Sequence, residues 1–157
     1  GVHGRNGGVP ITDMDWFNPI SEAFINTAEE YGHIRNPDYN SGVQEGVGYF
    51  QRAINRGFRV SSARGILRPV QKNRNIKLIL NARVTNIIFE GKTAKGVSFI
   101  RRRNGAITSI NARREVIISA GAANTARLMQ ISGLGPGQLL QNLGIKVTKN
   151  LEGVGNN

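Results

Sequence analysis

Residues 114–135, "REVIISAGAANTARLMQISGLG", decide the fold of this chain. Their apolar run at 115–119 does not alternate with polar residues, which predicts a strand covered on both faces by other elements. A helix is predicted from about residue 124 to residue 131, and Ser132 and Gly133 end it. A buried parallel strand followed by a helix is typical of α/β proteins, which bind ligands at the carboxyl ends of such strands.

The turn between this strand and this helix, Ser119-Ala120-Gly121-Ala122, has almost no side chains. Its backbone can therefore come within hydrogen-bonding distance of a flat or phosphorylated ligand, and the N-terminus of the following helix favours negative charge. Taken alone, the turn is explained equally well by close packing of strand and helix without a ligand. The rest of the chain has to distinguish these two interpretations.

An antiparallel meander is predicted over about residues 76–111, because β-branched and alternating residues occur there in several short runs. The predicted strands lie within residues 76–80, 82–90, 94–102 and 106–114. Its turns are expected near Gly91 and at Asn104-Gly105, since Asn-Gly between alternating runs favours a hairpin. After the meander and the 114–135 segment, a helix is predicted at 136–143 and a short strand at 145–147.

The first part of the chain predicts one well-defined helix. Asn18 suits the N-cap, Pro19 suits the first helical position, and Gly32 lies beyond the end. Residues 33–60 contain many turn-forming residues and predict a long ordered loop with short extended pieces. A short helix is expected at 62–69, with Pro69 ending it.

Composition narrows the protein class without deciding the function. The 157 residues are 39% hydrophobic and 20% charged, which is typical of a globular domain. No apolar run approaches the roughly 20 residues of a membrane helix. With no cysteine and two distant histidines, His3 and His33, neither a disulfide framework nor a metal site is predicted. The chain starts without an initiator methionine or a signal sequence, so we expect an internal segment of a longer protein.

The net charge of +11 raises a second hypothesis, a basic module that binds nucleic acid or another polyanion. Between Arg52 and Arg114 the only acidic residue is Glu90, yet the basic residues are spread over predicted strands and turns. Only residues 101–103 form a tight basic run, beside a predicted turn, and no stacking aromatic residues accompany it. Such runs are usually solvated loop edges, which makes nucleic acid the minor alternative.

Residues 121–135 resemble the second signature of the glucose-methanol-choline (GMC) oxidoreductases, a family of FAD-dependent enzymes. The matching positions are Gly121, Ala122, Thr125, Leu128, Met129, Ser132, Gly133, Leu134 and Gly135. Ala126 stands where the family has a proline, a departure that leaves the small-residue turn intact.

The resemblance covers nearly the whole chain. It includes "HGRNGGVPITD" at 3–13, "EGVGYFQRAINRGFRVSSARGILRPV" at 45–70, "NIKLILNARVTNIIFEGKTAKGV" at 75–97, and "LEGVGNN" at 151–157 with glutamate in place of proline. Residues 3–8 and 56–70 are most similar to the insect glucose-dehydrogenase-like branch of the family.

The fold that the resemblance implies is an α/β (α+β) fragment. Residues 1–75 would form part of a substrate domain with its connecting loops. Residues 76–157 would form part of a Rossmann-like FAD-binding domain that contains the meander.

The family oxidises an alcohol by transferring a hydride to FAD while a histidine accepts the hydroxyl proton. By resemblance, the adenine end of FAD lies against the main chain at Val84, and the ribose–pyrophosphate region lies near Ser119, Ala120 and Gly121. The family's catalytic histidine falls beyond residue 157 and its Gly-x-Gly-x-x-Gly turn is absent from this sequence. We therefore expect no catalytic residue here, and a fragment that is inactive alone.

Several alternatives stay open at this point. The parent enzyme would act on a small alcohol or a sugar, and the resemblance selects neither the substrate nor the electron acceptor. Secretion is compatible with the family but is not indicated by these residues, and the oligomeric state is undetermined. A non-functional truncated product is the third hypothesis beside the enzyme and the basic module.

Overall fold

The computed structural model of the protein describes residues 3–101 and 105–156. The chain forms two compact units, Gly1–Leu78 and Ile79–Asn157. Helices and an antiparallel sheet together make it a mixed α/β fragment, as the sequence predicts. Among the described residues, none of the helices combines the length and the apolar character that crossing a bilayer requires.

Helix α1 (Pro19–Glu30) is the main element of the first unit. The Asn18 side chain accepts a hydrogen bond of 2.9 Å from the Ile20 amide, so Asn18 is the N-cap as predicted. Pro19 occupies the first turn, where its missing N–H needs no partner. The helix stops at Tyr31, and Gly32 follows with φ of +92°.

The remainder of this unit is mostly loop, which confirms the prediction for residues 33–60. Two short strands, β1 (Ile54–Asn55) and β2 (Phe58–Arg59), pair in a small antiparallel hairpin. A π-helical turn, Ala63–Leu67, then continues into one turn of α-helix, α2 (Arg68–Val70). The predicted short helix is therefore present, but Pro69 does not end it. The helical stretch continues one residue past Pro69, to Val70.

The second unit contains a three-stranded antiparallel sheet in the order β3-β4-β5. The strands are β3 (Arg83–Glu90), β4 (Thr93–Ile100) and β5 (Thr108–Asn111). Gly91 has φ of +58° in the first turn, as predicted. The second predicted turn falls partly on Asn104, which lies outside the described residues, although β4 and β5 on either side pair as expected.

The prediction of a strand at 76–80 is wrong. These residues belong to no strand, and the sheet begins at Arg83. An alternating pattern becomes a strand only where a neighbour pairs with its backbone, and none of the described strands pairs with this segment.

A β-bulge changes the direction of β3 near its start. Val84 is opposite Phe99 and Asn86 is opposite Ser98, so Thr85 is the extra residue. The Thr85 hydroxyl donates a hydrogen bond of 3.1 Å to the Ser98 carbonyl. Beyond the bulge, β3 carries a core side chain of the unit, Ile87, which is 3% exposed.

Two helices follow the sheet, α3 (Ala122–Ile131) and α4 (Gly137–Asn142), and both agree with the predicted positions. Between and after them, β6 (Leu134–Gly135) and β7 (Lys149–Asn150) form a short parallel pair. The prediction of a strand at 145–147 is wrong. The strand that forms, β7, begins two residues further along the chain, at Lys149. The Thr148 and Lys149 amides donate hydrogen bonds to the Gly133 carbonyl, and this places β7 beside β6.

The prediction for residues 115–119 is also corrected. No strand pairs with this segment among the described residues, and the Ile117 side chain is 78% exposed. A strand is buried in a sheet only where other strands pair with its edges and other elements cover its faces. The described part of the chain supplies none, so the apolar run is present but not enclosed.

Candidate functional site

The turn after residues 115–119 has a backbone conformation that requires glycine. Gly121 has φ of +84° and ψ of 165°, a region that other residues hardly ever occupy, and it directly precedes α3. A Cβ atom at Gly121 would meet no described atom within 4 Å. The glycine is therefore needed for the path of the chain rather than for packing within it, and it borders open space.

Thr125 holds the turn in place from the first turn of α3. Its hydroxyl accepts a hydrogen bond of 3.2 Å from the Ala120 amide, and its own amide donates to the Gly121 carbonyl at 2.8 Å. These two bonds fix Ala120 and Gly121 relative to the helix. Ser119, Ala120 and Gly121 are all exposed, so their main chain is accessible to a ligand.

A cleft of about 480 Å³ lies beside this turn, entirely within the second unit. It brings Val84 of β3 together with Ser119 and Ala120, three of the four residues that the sequence singles out. Most of its other wall residues are apolar: Ala82, Ile87, Val97, Val116, Ile117, Ile118 and Leu128. Ligand sites are usually concave, mostly apolar spaces with a few polar groups, and this cleft has that character.

The polar part of the cleft wall includes residues that the sequence analysis missed. Arg83, Asn124 and Arg127 line it, and no acidic side chain does. Two arginines and the uncapped N-terminus of α3 give this cleft a positive character that favours an anionic ligand. The spacing of Asn124 and Arg127 on the predicted helix was the available signal, because residues three apart share a helix face.

Gly121 faces a second cleft of about 550 Å³ in the same unit. Its walls are small or apolar residues from the turn, from α3 and from the C-terminal loop: Ser119, Gly121, Ala122, Thr125, Ala126, Met129, Gly153, Val154 and Gly155. The Gln130 amide donates a hydrogen bond of 2.9 Å to the Val154 carbonyl and holds that loop against α3. Gly155 has φ of +84°, which favours glycine, and a side chain there would also displace the Gln130 amide.

The two histidines belong to the first unit, and neither lines the clefts of the second. His3 Nε2 is 2.7 Å from the Asp38 carboxylate, while His33 follows the end of α1 and is exposed. No group of three or more potential metal-binding side chains occurs among residues 3–101 and 105–156.

One carboxyl pKa in the first unit is shifted by a specific neighbour. The Arg52 guanidinium donates a hydrogen bond of 2.7 Å to the Asp15 carboxylate and holds the Asp15 pKa below its usual value. A backbone hydrogen bond acts in the same direction. The Asp15 side chain of this ion pair is exposed on the surface of the unit.

Similarity to known proteins decides the family. Residues 6–157 match the GMC oxidoreductase family. The chain belongs to that family. It is 38% identical over 154 residues to the oxygen-dependent choline dehydrogenase of Staphylococcus aureus strain MSSA476, covering 98% of this chain and 26% of that protein. The Staphylococcus saprophyticus protein of the same name is also 38% identical, with 27% of its length covered.

Solved structures of the family share the fold of this GMC chain. Pyridoxine 4-oxidase from Mesorbium loti superimposes with a TM-score of 0.84 at 28% identity, over 96% of this chain and 29% of that one. An FAD-dependent oxidoreductase from Chaetomium thermophilum gives a TM-score of 0.81 at 33% identity, over 96% and 26%. The chain thus spans about a quarter of the length of the relatives it matches. The family and the FAD-dependent neighbour indicate FAD as its cofactor.

Proposed function

We propose that the full-length protein is an FAD-dependent oxidoreductase that acts on the CH–OH group of a small alcohol. In this proposal the chain supplies part of the FAD-binding domain and part of the substrate domain. The observation that carries it is the cleft in which Val84 meets Ser119 and Ala120 in a member of the GMC family.

The residues of the cleft fit the adenosine half of FAD. A volume of about 480 Å³ lies within the roughly 300–1,000 Å³ of small-molecule sites, and apolar walls suit a flat adenine ring. We propose that adenine lies against the Val84 main chain and that the ribose–pyrophosphate region approaches Ser119, Ala120 and Gly121. Arg83 and Arg127, which also line this cleft, complement the negative charge of the pyrophosphate.

The contribution of this chain to the reaction is binding and orientation. Bound FAD supplies the hydride acceptor, and the protein supplies the geometry around it. The small turn admits the cofactor close to the backbone, and Thr125 keeps that backbone in one position. We assign no catalytic residue to this chain.

We propose that residues 1–75 belong to the substrate domain and that residues 76–157 belong to the FAD-binding domain. The division of the chain into two compact units between Leu78 and Ile79 supports a boundary in this region. Limited proteolysis of the full-length protein tests the boundary. Preferred cleavage close to residue 78 is expected, whereas cleavage only inside either unit would contradict it.

For the substrate, the names of the relatives suggest small alcohols. The curated relatives are named choline dehydrogenases, and one structural neighbour is named a pyridoxine 4-oxidase. We therefore propose choline as the first alcohol to test. Because residues 3–8 and 56–70 resemble the insect glucose-dehydrogenase-like branch, a sugar is the second candidate to test.

The decisive experiment uses the purified full-length protein. We expect stoichiometric flavin absorbance and reduction of an electron-accepting dye when choline, a primary aryl alcohol or glucose is added. A protein without flavin that instead binds nucleic acid with steep salt dependence would overturn the proposal in favour of the basic module.

A further inference from the structure

The side chain of Ser132 is a buried polar group that is not explained by helix termination alone. Ser132 is the C-cap of α3 and is 7% exposed. Its hydroxyl donates a hydrogen bond of 2.7 Å to the Leu128 carbonyl and accepts one of 2.9 Å from the Ile87 amide. One small side chain thus satisfies a helix-end carbonyl and a strand amide together.

The Ile87 amide depends on this hydroxyl. It lies in a buried part of β3 and donates to the Ser132 hydroxyl. Buried backbone amides are almost always paired, and an unpaired one is costly. Loss of the hydroxyl would therefore force β3 to shift or to admit water beside Ile87.

The bond also joins the two walls of the first cleft. Ile87 stands on the strand wall with Val84, and Leu128 stands on the helix wall with Asn124 and Arg127. Among the described residues, this is the one side-chain hydrogen bond that links β3 to α3 and its C-cap. It therefore ties β3, which carries Val84, to the C-terminal end of the helix that starts at the Ser119–Gly121 turn.

We propose that Ser132 is a positioning residue for the adenosine half of FAD. It acts through β3, whose Val84 main chain faces the adenine, and not by contact with the cofactor. This inference rests on the proposed function. It predicts that loss of the hydroxyl weakens adenine-bearing ligands selectively, while the flavin half of the site is unaffected.

The test compares Ser132→Ala with Ser109→Ala in the full-length apoprotein. Ser109 is a matched control, because its hydroxyl pairs with Ser98 at 3.1 Å on an exposed part of the same sheet. The measurements are dissociation constants for FAD, ADP and FMN, together with the unfolding temperature. ADP carries the adenosine half of the cofactor, and FMN carries the flavin half.

We expect Ser132→Ala to weaken both FAD and ADP binding by roughly tenfold, the change that follows when about half of the usual cost of an unpaired buried amide falls on the ligand-bound form alone. FMN binding should be unchanged, and Ser109→Ala should alter none of the three. Ser132→Thr retains the hydroxyl and should restore most of the ADP affinity. If the alanine variant does not fold, Ser132→Cys replaces it, because a thiol is a weak hydrogen-bonding group, and the selective loss of ADP should persist.

Two outcomes would overturn the inference, and a third would overturn the proposed function. Unchanged ADP affinity in a folded Ser132→Ala or Ser132→Cys variant shows that the hydroxyl does not position the adenosine site. Equal weakening of ADP and FMN shows a general structural role only. A wild-type protein that binds neither FAD nor ADP contradicts the proposed function itself, whatever the variants do.

Discussion

Gly121→Val is the substitution that most directly probes the small-residue turn. Gly121 has φ of +84° and ψ of 165°, where a residue with a side chain is strained by about 1–3 kcal/mol. For a β-branched side chain such as valine we expect a strain energy at the upper end of this range. No described atom lies within 4 Å of the added Cβ, so the valine would project into the space where we propose that FAD approaches.

The expected effect is a loss of cofactor rather than of chemistry. If the 1–3 kcal/mol falls on the FAD-bound form, affinity drops by roughly 5- to 150-fold. The reacting carbon of the alcohol is not touched by this turn. The full-length Gly121→Val enzyme should therefore be purified with much less flavin, while its turnover per bound flavin falls by a smaller factor.

The assay measures the ratio of flavin to protein absorbance and the turnover per flavin. Gly121→Ala helps to separate strain from bulk, because it also places a Cβ at this positive φ but adds much less volume. Gly91→Ala is a matched control with positive φ and open surroundings in the β3–β4 turn, and it should leave the flavin ratio unchanged. An unaltered ratio in Gly121→Val would refute a cofactor role for the turn.

Three further outcomes are expected. Leu140→Ala should lower the free energy of unfolding by about 2–5 kcal/mol in a denaturant titration, because Leu140 is 0% exposed. Leu139→Ala, at a half-exposed neighbour, should lower it by less, and equal decreases in the two variants would contradict the argument. Because the Asp15 pKa is lowered in the folded state, the Asp15–Arg52 pair stabilises the fold above the usual carboxyl pKa, and that contribution is lost as pH falls through the lowered value. In Arg52→Gln an NMR titration should find the Asp15 pKa raised toward its usual value, and an unchanged pKa would assign the shift to the backbone hydrogen bond. Residues 1–157 expressed alone should neither retain FAD nor oxidise alcohols, and the unpaired 115–119 segment should promote self-association. A monomer that carries stoichiometric flavin and reduces a dye with an alcohol donor would disprove this.

Elements whose signals are local were predicted correctly. Asn18, Pro19 and Gly32 specify both ends of α1, because capping and positive φ involve only neighbouring residues. Gly91 between alternating runs specifies the first hairpin in the same way. The predictions of strands at 76–80 and 145–147 were wrong. A strand also needs a segment that pairs with it, and an alternating pattern does not specify which segment that is.

The candidate site was predicted in part. The small-residue turn and the family resemblance directed attention to Val84, Ser119, Ala120 and Gly121. The cationic wall and the role of Ser132 did not emerge from the sequence. Their significance depends on which strand α3 packs against, and that choice is made by packing between distant segments.

By itself the sequence determined the family, the local course of α1 and α3, the β3–β4 hairpin, and a turn that only small residues can form. Tertiary structure alone decided that Val84 and Ser119 line one cleft and that Ser132 binds Ile87 across 45 residues of chain. The reason is physical. Caps and turns are satisfied within a few residues, whereas a buried amide or an apolar strand face finds its partner only when remote segments are brought together by packing.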